Sequence, residues 1–171
     1  RYGDVAGEDV YGNLLALDPD LAASIEVLPE AQIPGNTVTI TVKLDNNEGL
    51  TDAVDTLAVT KLPTTVSNVE DISGTCSYSS SNHTVYWYMD LPDLETATCQ
   101  FKAKLPDPGV IPNDTYLTFS TRISAEAVSP FTVTDNVLVT NNPRLDADLD
   151  VDKAEAIAGE VLTYTATLTN H

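Results

Sequence analysis

The sequence predicts an all-β chain built as an immunoglobulin-like, Greek-key β-sandwich in tandem repeat. Short runs of alternating apolar and polar residues, rich in Val, Ile, Thr and Tyr, recur about every 8–12 residues between Pro, Gly, Asn and Asp turns. No window of helical length carries a 3.6-residue apolar period. The chain also matches itself without gaps at an offset of 124 residues.

The strands follow in order from the alternation. They are expected near 21–28, 37–45, 54–61, 65–72, 74–79, 84–90, 96–104, 115–124 and 131–140. Ile33-Pro34-Gly35-Asn36, Asn46-Asn47-Glu48-Gly49, Leu62-Pro63, Leu91-Pro92-Asp93 and Leu105-Pro106-Asp107-Pro108-Gly109 separate them. Eight or nine short strands in one unit point to two packed sheets.

The internal match relates residues 21–47 to 145–171, with 9 of 27 positions identical. The identities include Leu21/Leu145, Val27/Val151, Gly35/Gly159, Leu44/Leu168 and Asn46/Asn170, and the apolar register is kept throughout. Asn13–Asp20 lies more weakly opposite Val137–Arg144. The expected organisation is therefore the last strand of a preceding repeat in 1–20, a complete sandwich in 21–144, and the first strands of a following repeat in 145–171.

Two segments carry a family resemblance. One is Ala147-Asp148-Leu149-Asp150-Val151-Asp152-Lys153 with Ala158-Gly159-Glu160 and Leu162–Asn170. The other runs from Val85-Tyr86-Trp87-Tyr88 through Leu91-Pro92-Asp93-Leu94 to Thr96–Phe101. Together they resemble the surface-protein repeat known as domain of unknown function eleven, over most of 21–171. The resemblance implies immunoglobulin-like modules strung along exported bacterial or archaeal proteins, and it transfers no catalytic residue. The Cys pair and the long stretch between 106 and 140 depart from that pattern.

Composition excludes several functions. Eight basic against 26 acidic residues give a net charge of −18, which repels phosphate backbones and leaves no basic stripe for nucleic acid. No apolar run approaches the roughly 18 residues of a membrane helix. The start at Arg1 has neither an initiator Met nor a signal-type apolar core, as expected of a mature or excised segment. Cys76 and Cys99 are neither C-x-x-C nor part of a metal-ligand set, so a structural disulfide is expected. It would be worth about 3 kcal/mol and implies an oxidising compartment. Asn82-His83-Thr84 and Asn113-Asp114-Thr115 are candidate glycosylation sites, which fits an exterior protein.

Three further patterns are candidate sites. Asp146, Asp148, Asp150 and Asp152 share one face of a strand, and Asp18 and Asp20 lie at a repeat junction. A flat ladder lacks the 6–8 converging oxygens that calcium takes, so solvated acids are expected, with junction calcium through Asp18, Asp20, Asp146 and Asp148 as the alternative. Trp87 is expected in the core, and Tyr78, Tyr86 and Tyr88 form a candidate aromatic platform for glycans. Lys43 and Asn136 are the pair to test for an isopeptide crosslink.

No nucleophile elbow, H-E-x-x-H run or phosphate loop is present. The expectation is a non-catalytic structural or adhesive module without a cofactor, outside the cell. Its expected partners are neighbouring repeats or copies, with strands 145–171 completed by one of them. The alternative is a carbohydrate-binding or spacer module of a secreted enzyme.

Overall fold

A computed structural model describes residues 18–46, 51–142 and 145–170. Their regular structure is strand throughout: β1 Ala22–Leu28, β2 Ala31–Gln32, β3 Thr37–Asp45, β4 Ala53–Lys61, β5 Ser67–Ser73, β6 Ser77–Ser79, β7 Thr84–Leu91, β8 Thr96–Lys104, β9 Thr115–Ala125, β10 Val128–Val139, β11 Leu145–Val151 and β12 Tyr164–Asn170. The expectation for residues 1–17, a preceding strand, lies outside the described residues.

Two sheets face each other. One has the order β1-β3-β8-β5, the other β2-β10-β9-β4-β7-β6, and β11-β12 forms a separate two-stranded sheet. The crossovers between the larger sheets make this an immunoglobulin-like sandwich. Alternation dictates what fills it. Val38, Ile40, Val42 and Leu44 point inward from β3, Cys99, Phe101 and Ala103 from β8, Val85 and Trp87 from β7, and Leu117, Phe119 and Ile123 from β9. Burying each large apolar side chain contributes about 1.5–3 kcal/mol. Two interior hydroxyls satisfy each other in the 2.8 Å bond between the Oγ1 atoms of Thr60 and Thr121, and Thr56 donates its hydroxyl to Ala53 O.

The structure departs from the sequence expectation in three places. β6 keeps only Ser77–Ser79 of the expected 74–79, since Gly74 at φ 87° and the bridged Cys76 belong to the passage between the sheets. β10 begins at Val128 rather than 131, continuing through Pro130 because the register with β9 shifts between Val128 and Phe131. A bulge is where a strand tolerates a residue without an N–H. β2 was not expected, because two residues are too few to show alternation. It runs parallel to β10, anchored by Leu138 N–H donating to Glu30 O and Thr140 N–H to Gln32 O. Here the chain crosses from one sheet to the other, and Asp135 fastens the crossing by accepting from Val27 N at 2.7 Å.

Candidate functional site

The hairpin β11–β12 reproduces β1–β3 pair for pair. Ala22 faces Asp45 and Leu28 faces Thr39 in the first; 124 residues on, Asp146 faces Thr169 and Asp152 N–H donates to Thr163 O. The turns also coincide. Asn36 N–H donates to Ile33 O as Glu160 N–H donates to Ile157 O, and the intervening Gly35 and Gly159 both have positive φ, 82° and 96°. A side chain is rarely accommodated at such φ, which explains glycine at both.

The surroundings differ. β3 is flanked by β8, and Gly35 N–H donates to Pro106 O at 2.9 Å. Leu44 and Ile40 are 0% exposed, whereas their counterparts Leu168 and Tyr164 are 72% and 62% exposed. Leu145, Leu149 and Val151 are exposed as well. Asn46 shows what the first copy does with its partners: its Nδ2 donates to Thr51 O and Leu91 O, its N–H to Glu95 O, and its carbonyl accepts from Leu94. This one buried residue ties the end of β3 to the approaches of β4 and β7 through its side chain and to that of β8 through its backbone, a role invisible in the sequence because Leu91, Leu94 and Glu95 are remote.

The Cys76–Cys99 disulfide is formed, with a Cα separation of 6.0 Å. Cys99 is on β8 of the first sheet, and Cys76 lies where the chain passes from β5 to β6 of the second. The bridge therefore clamps one sheet to the crossover, and it lines one small interior void together with Trp87. Gly74 precedes this crossover at φ 87°; an added Cβ there would lie 2.5 Å from Thr98 O.

The tyrosines divide between the two faces of the second sheet, which corrects the expected platform. Tyr78 is opposite Val85, so it points inward, and its hydroxyl is 3.1 Å from Nδ1 of His83, whose Nε2 lies 3.0 Å from Pro63 O. Of the three, Tyr86 and Tyr88 stand on the outer face, 42% and 61% exposed, a face that also carries Tyr116 on β9. Tyr88 donates its hydroxyl to Oδ1 of Asp55. That bond, with desolvation and the nearby charges of Asp55 and Asp90, raises its pKa above the ordinary tyrosine value of about 10. Across the sheet from Tyr86 lie Val59, Arg122 and Thr132 in one row, and Lys61 is in the next row.

Asn82 is exposed at the β6–β7 turn, and Asn113 is exposed before β9, where its Oδ1 accepts from Asn141 N at 2.7 Å. Asp18 and Asp20 are exposed ahead of β1, while Asp146 and Asp148 lie on β11. No group of three or more His, Cys, Asp or Glu side chains suited to a metal ion occurs among the described residues. The isopeptide pair is not brought together. Lys43 faces outward from the first sheet and pairs with Asp45 at 2.7 Å, and Asn136 faces outward from the second, accepting from Thr118. The interior of the sandwich lies between them.

Fold and clamp together define the class: an immunoglobulin-like β-sandwich with a disulfide joining one sheet to the crossover into the other. No protein-family model matches the chain, and no curated protein matches it. Among solved structures it is similar to the major pilin subunit BcpA of Bacillus cereus, with a TM-score of 0.51 and 10% identity over 88% of this chain. It is also similar to the major pilin SpaD of Corynebacterium diphtheriae, with a TM-score of 0.50 and 12% identity over 82% of this chain. It spans 55% of the first and 38% of the second. A collagen-binding domain from a Staphylococcus aureus adhesin aligns at a TM-score of 0.47 and 8% identity, over 68% of this chain and 96% of its own. The two pilin likenesses describe the fold.

Proposed function

We propose that the chain is a non-catalytic structural or adhesive module of a secreted or cell-surface protein. It is one stretch of a tandem array of immunoglobulin-like units that builds a stalk, sheath or filament. The observation that carries this reading is the second hairpin: the geometry of β1–β3 returns 124 residues later with its apolar face open to solvent. In the first copy the opposing sheet closes that face and β8 pairs with the free edge of β3. A following unit of the same build would close the second copy, and its contact with the first would set the angle between neighbours.

Other observations support the setting. A disulfide persists in oxidising compartments, and both sequon asparagines are exposed. The surface-protein repeat resembled by the sequence and the pilins that share the fold both fit a partner that is another unit or another copy. Electron microscopy of the native full-length protein tests the reading. Beads at regular spacing, or filaments, are expected; a lone compact particle would overturn it.

The second reading, a carbohydrate-binding or spacer module, is favoured by one specific observation. Tyr86 and Tyr88 project from a rigid sheet face that neither the core nor a neighbouring strand covers.

A further inference from the structure

We infer that the outer face of the β2-β10-β9-β4-β7-β6 sheet is a binding site for a carboxylated saccharide, centred on Tyr86 and Arg122. The inference does not depend on the tandem-array reading. It starts from where the positive charge goes unused. Of the six lysines and arginines among the described residues, Lys43, Lys102, Lys104 and Lys153 are each paired with a carboxylate. The other two, Lys61 and Arg122, have no ionic partner among the described residues. They are not scattered. Lys61 pairs with Ser120 and Arg122 with Val59, which makes them diagonal neighbours on adjacent strands of one face, about 7–8 Å apart.

The same face holds the exposed aromatics. Ser77, Tyr86, Val59, Arg122 and Thr132 form a continuous row across five strands. Tyr86 and Arg122 are two strands apart, about 10 Å. Tyr88 lies one step along β7, about 7 Å from Tyr86, beside Leu57. The low, half-buried Val59 and Leu57 leave a shallow floor between the rings and Arg122. Thr84, Ser120 and Thr132 supply hydroxyls at its margin, and the carboxylates Asp55 and Asp90 lie at the Tyr88 end.

Each part matches a feature of an acidic sugar chain. Pyranose faces stack on tyrosine rings, sugar hydroxyls donate to Asp55 and Asp90, and a uronate carboxylate meets the guanidinium of Arg122 with Lys61 behind it. The carboxylates at one end disfavour a densely charged polyanion such as a sulfated glycan and favour a chain with no more than one negative charge per sugar and free hydroxyls beside it. Docking of a second copy is less well served, since the third exposed ring of this face, Tyr116, stands six residues along β9 from Arg122 and the surround is polar, which leaves no broad apolar patch.

The test is affinity electrophoresis and calorimetry with three probes: an oligogalacturonate, its methyl-esterified neutral form, and dextran sulfate. The unmodified chain is expected to bind the oligogalacturonate best. Arg122→Gln with Lys61→Gln should weaken that binding roughly tenfold, and Tyr86→Ala roughly fivefold. These positions face solvent, so an unchanged thermal midpoint separates a lost site from a lost fold. No binding of the oligogalacturonate would overturn the inference. So would equal binding of the neutral form, equal or tighter binding of dextran sulfate, or double-variant affinity equal to that of the unmodified chain. Sedimentation supplies a final check: an oligomer that the double variant converts to monomer, without saccharide binding, would assign the face to a second copy instead.

Discussion

The hairpins β1–β3 and β11–β12 share a turn, a register and nine identical residues, yet one is the heart of a core and the other a pair of strands in solvent. The contrast separates local from tertiary causes. Alternation, Thr-rich strands and a glycine at positive φ suffice to specify the hairpin's shape wherever it occurs. They do not make it stable. An isolated two-stranded hairpin is marginal in water because it buries almost nothing. In the first copy the missing energy comes from β8 and the facing sheet.

Paired substitutions at equivalent positions of the two hairpins test this contrast. The largest effect is expected at Leu44 and Leu168. Leu44→Ala removes a fully buried side chain and should cost about 3–5 kcal/mol in chemical denaturation. Leu168→Ala, at the equivalent exposed position, should change stability by less than about 0.5 kcal/mol. Equal costs at the two sites would mean that the second hairpin is also buried. Reduction of Cys76–Cys99 comes next, with an expected loss of about 3 kcal/mol. Its signature is regional: faster amide exchange in the sandwich and unchanged exchange in 145–170.

Asn46→Ala should cost about 1–3 kcal/mol, because the carbonyls of Thr51 and Leu91 lose their donor in the interior. The smallest pair is Gly35→Ala and Gly159→Ala. Both introduce a side chain at positive φ, a strain of about 1 kcal/mol or more. Only Gly35→Ala should lower the thermal midpoint of the sandwich, since its turn is bonded to Pro106 and crowded by Asp107. A matching drop for Gly159→Ala would show that the two hairpins unfold as one unit.

Nine strand positions were legible in the sequence because each rests on neighbours two residues apart. β2 was not, since its only support is β10, more than a hundred residues away. The start of β10 was misplaced for a related reason: Pro130 reads as a stop until the bulge against β9 is seen. Tyr78, Tyr86 and Tyr88 read as one cluster because the sequence does not give the pairing of β6 with β7. That pairing sets Tyr78 opposite Val85 and turns it inward. Arg122 drew no attention, as its neighbours Val59 and Tyr86 come from other strands.

The all-β character, most strand boundaries, the 124-residue correspondence, the Cys76–Cys99 pair and the burial of Trp87 are all readable along the chain. These follow from alternation, turn residues and residue chemistry, all of which act over short stretches of chain. Which strands share a sheet, that Asn46 and Asp135 fasten distant segments, and that Tyr86, Arg122 and Lys61 meet on one face emerge first in three dimensions. Such outcomes depend on pairing between strands far apart in sequence, where period-two patterns say which way a side chain points but not what it will find there.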